Sequence, residues 1–111
     1  MSIVNEVRLI GNLGGNPELF TTDKGKNVLR VSVATSSTYK NDKGEKVEST
    51  DWHNVVMFGT RAIATSKYCK KGSKVAINGR LSTRTYDDKQ GVTKYITEII
   101  TDDILFLTPS K

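Results

Sequence analysis

Apolar residues recur at every second position along much of this chain. Over residues 28–35, Leu29, Val31 and Val33 fall on one side, with Arg30, Ser32 and Ala34 on the other. Over residues 74–86, Val75, Ile77, Gly79 and Leu81 alternate with Lys74, Ala76, Asn78, Arg80, Ser82, Arg84 and Tyr86. A repeat of two is that of an extended strand, whose successive side chains leave opposite faces, and Val and Ile pack well on a pleated surface. The pattern commits most of the chain to half-buried strands.

Turn chemistry divides the strands. A first strand runs through Val7 and Leu9 into Gly11, Gly14 and Gly15, and a second over 28–35 follows Asp23, Lys24 and Gly25. The glycines at 11–15 lack both the spacing and the following helix of a dinucleotide fingerprint and read as turns. Polar, glycine-bearing runs at 40–46 and 87–91 are expected to be exposed hairpin loops. A third strand covers 51–58, a fourth 74–86 and a fifth 93–101, with a last apolar segment at 104–107. Only 60–71 has helical spacing: Tyr68 follows Ala64 by four residues, Gly72 offers a stop, and Tyr68 is expected in the core. Three strands, a helix and two strands fit an all-β fold, a five-stranded Greek-key barrel of the OB type with its helix between the third and fourth strands. A plain β-sandwich has the same spacing.

The chain has 111 residues, the size of one domain, and residues 1–111 are read as one unit. It holds no run of about 18 apolar residues, and the polar residues Asn5, Glu6 and Arg8 stand where a leader would be apolar. An intracellular protein with no membrane role is the expectation. Cys69 is the only cysteine and His53 the only histidine, so one chain assembles neither a disulfide nor a Cys/His metal site, and no cofactor is called for. No motif presents a nucleophile, a base and an orienting group together, which argues against an enzyme.

The net charge of +5 is unevenly spread. Residues 1–60 balance, whereas 61–94 carry Arg61, Lys67, Lys70, Lys71, Lys74, Arg80, Arg84, Lys89 and Lys94 against Asp87 and Asp88 alone. Such a stripe suits a polyanion, or is simply a solvated basic face. Aromatics accompany it, as a binder of unpaired bases requires: rings for the base faces and cations for the phosphates. Trp52 and Phe58 share one parity of the third strand; Tyr39 adjoins Lys40 and Lys43 at one hairpin, and Tyr86 adjoins Arg84 and Lys89 at the other. Trp52 reads as a stacking platform, while Phe58 is equally a core residue by pattern. Arg80, Arg84 and Tyr86 share a face. His53, opposite Trp52, reads as a hydrogen-bonding or subunit-contact residue rather than a metal ligand.

Five blocks in order, VRLIGNLGGNP at 7–17, VATS at 33–36, TDWHNVVMFG at 50–59, YCKKGS at 68–73 and INGRLSTR at 77–84 followed by Tyr86, resemble bacterial single-stranded DNA-binding protein. The resemblance covers nearly the whole chain. It implies an OB-fold homotetramer in the cytoplasm, associated with the nucleoid, that binds and protects single-stranded DNA during replication, recombination and repair. It places the stacking aromatics on Tyr39, Trp52, Phe58 and Tyr86, and basic contacts on Lys70, Lys71, Arg84 and Lys94, to which the charge stripe and hairpin add Lys40, Lys74 and Arg80. It assigns His53 and the strand of Val7, Leu9, Gly11 and Asn12 to subunit contacts.

The departures from that family are specific. Tyr39 and Tyr86 stand where tryptophan is common, and Glu6, Asn54, Thr60 and Ser82 stand where a cation often does. Fewer cations release fewer counterions, so a shallower salt dependence is expected. Such proteins usually continue into a disordered linker and an acidic tip that recruits other enzymes. The sequence here runs out at Leu107, Thr108, Pro109, Ser110 and Lys111, so recruitment through a tail is not expected of it. The alternatives are a dimeric primosome accessory protein of the same barrel, a protein-interaction barrel, and an RNA binder, although no RNP-type aromatic motif is present.

Overall fold

The computed structural model describes residues 4–107. It comprises β1 (Val7–Leu13), β2 (Glu18–Thr21), β3 (Asn27–Lys40), β4 (Lys46–Phe58), α1 (Thr60–Tyr68), β5 (Lys74–Asp87) and β6 (Thr93–Phe106). The strands hydrogen-bond in the order β1-β5-β6-β4-β3-β2, and β1 also pairs with β3 through Asn12 with Ala34 and Leu13 with Val33. That second pairing closes β1, β3, β4, β6 and β5 into a five-stranded barrel, with β4 and β6 parallel and β2 appended to the outer edge of β3. The barrel expected from the alternation is therefore present.

The odd-numbered side chains supply its interior. Leu13, Leu29, Val31, Val33, Val55, Met57, Val75, Ile77 and Ile99 form one buried cluster with Ala62 and Cys69. Two glycines let the walls approach each other. A β-carbon on Gly11 would collide with the Ala34 carbonyl where β1 turns from β5 to β3, and one on Gly79 with the carbonyl of Ile100. Gly79 also sits at a β-bulge: Asn78 pairs with Asp103 and Gly79 with Thr101, so Asp102 has no opposite residue.

Three hairpins use the same turn. Thr22, Asn41 and Asp88 each accept, through a side-chain oxygen, the N–H four residues ahead, and glycines three residues on, Gly25, Gly44 and Gly91, have positive φ. Glycine adopts that conformation without the steric penalty of a β-carbon. The β3–β4 and β5–β6 hairpins run beyond the barrel as arms, with residues 36–40 and 83–87 exposed, and the molecule extends 55 × 41 × 30 Å.

The differences from the sequence reading are local. β3 and β4 continue past the expected 28–35 and 51–58, because a hydrogen-bonded arm needs no buried face to alternate over. β2 has all four residues exposed, so no apolar period announces it, and it makes the helix follow the fourth strand rather than the third. The fifth strand and the last apolar segment are a single strand, since the bulge at Asp102 shifts their parity. The helix ends at Tyr68, not Lys71: Cys69 is extended, and the Ser73 Oγ accepts the Lys70 N–H at 2.9 Å in the turn that follows. Tyr68 is 51% exposed, which corrects its core assignment; its ring lies 6.1 Å from that of Phe106.

Candidate nucleic-acid interface

Pairing registers carry the even-numbered residues of β3, β4, β5 and, up to its bulge at Asp102, β6 onto one outer face. Ala34 lies opposite Trp52, Ser32 opposite Asn54 and Arg30 opposite Val56; Val56 adjoins Ile100 of β6, which lies opposite Arg80 of β5. Across this face runs an open groove of about 410 Å³, lined by Arg30, Ser32, Trp52, Asn54, Arg84, Ile96 and Glu98. The loop after β1, Gly14 to Asn16, forms its rim.

Trp52 is 63% exposed, and its six-membered ring lies over Gly14, where a β-carbon would overlap it. The groove thus presents an indole supported on backbone. Facing it is an ion pair: Arg84 Nε donates to Glu98 Oε1 at 2.9 Å, with the arginine side chain 43% exposed and the carboxylate 7%. The nearly buried Glu98 fixes one side of the guanidinium, and its terminal NH₂ groups remain to meet an anion. An apolar face beside a held guanidinium is what a nucleotide needs, one for the base and the other for the phosphate.

The expected residues divide by position. Tyr86 and Lys94 lie opposite each other on the face that carries Arg84, and Lys94 approaches Asp88 at 3.9 Å. Arg80 shares this face, and Lys40, opposite Lys46 at the tip of the other arm, has Trp52's parity. Lys70 and Lys71 are exposed at the rim, where the Lys71 N–H donates to the Asn16 side chain at 2.9 Å. Phe58 is on the outer face at the far end of β4 and is half-exposed. Two residues are set apart. Tyr39 is five residues beyond Ala34, so it leaves the opposite face of its arm from Trp52. Lys74 lies beside Asn12 at the start of β5, twelve residues and roughly 40 Å from Tyr86.

On β1, Val7 and Leu9 pack against the core cluster and Gly11 is buried, so the side chains turned outward are Arg8, Ile10 and Asn12. His53 is half-buried, its Nε2 3.0 Å from the Thr35 hydroxyl. Sequence reading did not single out Arg30, Ile96, Glu98 or the Gly14 support. The outward parity of Arg30 was available in the alternation, but nothing in the sequence marks Glu98 as the partner of Arg84. Among the described residues no three His, Cys, Asp or Glu side chains gather as a metal site, and no helix is long and apolar enough to cross a membrane.

A closed barrel in this strand order, with an aromatic and cationic groove across one face, is the architecture of the OB-fold class. Residues 4–107 match the single-strand binding protein family, and the chain belongs to that family. It is 45% identical over 105 residues to single-stranded DNA-binding protein 1 of Chlorobaculum tepidum, covering 94% of this chain and 65% of that protein. The protein of the same name from Xylella fastidiosa is 41% identical over 108 residues, with coverages of 96% and 79%. Among solved structures, a Plasmodium falciparum SSB complex with ssDNA superposes with a TM-score of 0.85 at 32% identity, over 97% of this chain and 98% of that one. A deletion mutant of the Thermus aquaticus single-stranded DNA binding protein gives 0.82 at 25% identity, over 94% and 50%.

Proposed function

We propose that this protein binds single-stranded DNA without sequence preference and shields it during replication, recombination and repair, as a binder rather than an enzyme. The observation that carries the reading is the groove in which Trp52 lies on Gly14 and faces the Arg84–Glu98 pair, in a family member whose structural neighbour was solved with ssDNA. Trp52, Phe58 and Tyr86 stack on bases, with Tyr39 reached from the other side of its arm. Arg80, Arg84, Lys94, Lys40, Lys70 and Lys71 meet phosphates, and Lys74 contributes only general field. None of these contacts reads a base edge, which accounts for sequence tolerance.

Titration with oligo(dT) is expected to quench Trp52 fluorescence, with duplex DNA competing poorly. An unchanged signal at low salt would sink the reading.

The assembly we propose is a homotetramer. An outward row of Ile10, Ala76 and Leu105 crosses β1, β5 and β6, and both Ile10 and Leu105 are well exposed. Covering such a row removes apolar surface from water. The interface then centres on Ile10, with Asn12 at its margin, Val7, Leu9 and Gly11 supporting the strand from within, and His53 steadying β4. Light scattering should give four times the 12.3 kDa chain mass, whereas a dimer would favour a primosome accessory protein. A soluble tetramer of this kind belongs in the cytoplasm, on the nucleoid.

A further inference from the structure

Phe20 is an exposed aromatic that the groove does not account for. It lies on β2 opposite Val28, and Val28 lies opposite Phe58, so the three form one row across β2, β3 and β4 on the same face as Trp52. Phe20 and Phe58 are 46% and 45% exposed, while Val28 between them is 5% exposed. The two rings thus flank an apolar floor at a separation of about two strand spacings, roughly 10 Å. Leu19, the neighbour of Phe20, lies opposite the buried Leu29 and so points the other way. Phe20 therefore adds little to the core and presents apolar area to water.

The adjoining row on this face contains Glu18, Arg30 and Val56. Both Glu18 and Arg30 line the groove that holds Trp52. The ring row is thus continuous with the groove, and the cation between them sits where a backbone passing from Trp52 towards Phe58 would carry a phosphate. We propose that Phe20 is a base-stacking residue, and that with Phe58 it extends the single-stranded DNA path beyond the barrel onto β2. This rests on the single-stranded DNA reading above.

The test measures anisotropy of a labelled oligo(dT) over a range of salt for the full chain and for Phe20→Ala, Phe20→Leu and Phe20→Tyr. Loss of a stacking ring is expected to weaken binding about fivefold or more in the Ala and Leu variants, with Tyr near wild type. The slope of log affinity against log salt should stay constant, because no phosphate contact is lost. Wild-type affinity in both Ala and Leu variants would overturn the proposal. So would full rescue by Leu, which would make Phe20 a packing residue, or a changed mass in light scattering at unchanged affinity, which would give the row to a second copy. If the unaltered protein fails to bind oligo(dT), the underlying reading fails first, and that outcome is distinguishable from the others.

Discussion

Gly14 and Trp52 occupy each other's space so closely that a β-carbon at Gly14 would overlap the indole, with Cε3 and Cη2 of the ring 3.2 and 3.3 Å from it. The glycine sets where the ring lies. Gly14→Ala should push the indole from its seat, altering the emission of free Trp52 and weakening oligo(dT) binding about tenfold, within the range of one lost stack. Gly15→Ala, whose β-carbon would meet nothing within 4 Å, is the control and should behave as wild type.

Trp52→Ala and Tyr68→Ala should separate binding from stability. Removing the indole is expected to cost ~1–3 kcal/mol of binding, read by anisotropy since the fluorophore is gone. Tyr68 contacts Phe106 away from the groove, so its truncation should lower the melting temperature and leave affinity unchanged. Equal binding losses would contradict the placement of the groove.

Arg84 and Glu98 respond asymmetrically. Arg84→Ala leaves a nearly buried carboxylate without its partner, at a stability cost of ~1–3 kcal/mol, and removes the proposed phosphate contact as well. Glu98→Gln keeps an acceptor for the guanidinium while removing a negative charge from the groove. For a phosphate about 7 Å away in a water-like dielectric this is ~0.6 kcal/mol, a two- to threefold gain in affinity at low salt. Weaker binding by Glu98→Gln would mean that the charge matters more for holding Arg84 than for repelling DNA.

Salt dependence distinguishes the middle of β5 from its start. Arg80→Ala should reduce the slope of log affinity against log salt by about 0.7, the value of one phosphate on a single strand. Lys74→Ala, remote from the groove, should leave the slope as it is. The comparison needs only titrations at several salt concentrations.

Gly79→Ala tests the barrel wall. Its new methyl would meet the Ile100 carbonyl across the β5–β6 seam, where backbone must move to admit it. Overpacking of this kind costs about 2 kcal/mol, a fall of about 10 °C in melting temperature for a domain of this size at fixed protein concentration. Calorimetry would measure it.

The barrel was legible because alternation reports burial, and its core strands bury one face along most of their length: Leu29, Val31 and Val33 point in, Arg30 and Ser32 out. The same signal is silent where both faces are wet. It therefore missed β2 and ended β3 at Thr35, five residues short. Trp52 and Arg84 could be picked out as residue types suited to bases and phosphates. The Arg84–Glu98 pair could not, because it depends on the register between β5 and β6, which brings together residues fourteen apart in sequence. Tyr68 misled for a related reason: helical spacing placed it near Ala64, but the helix ends there, and its final residues Lys67 and Tyr68 are exposed while Thr65 is buried.

The parity of Tyr39 carries a geometric consequence. Trp52 and Tyr39 belong to one hairpin, Trp52 at the barrel and Tyr39 on the arm, but leave it on opposite sides, so no straight polymer lying on the sheet can touch both. A strand that engages the two must go around the arm's edge, and its length between them is then set by the girth of the hairpin. The arm would act as a spindle, and engagement of Tyr39 would show as additional nucleotides occluded per protomer.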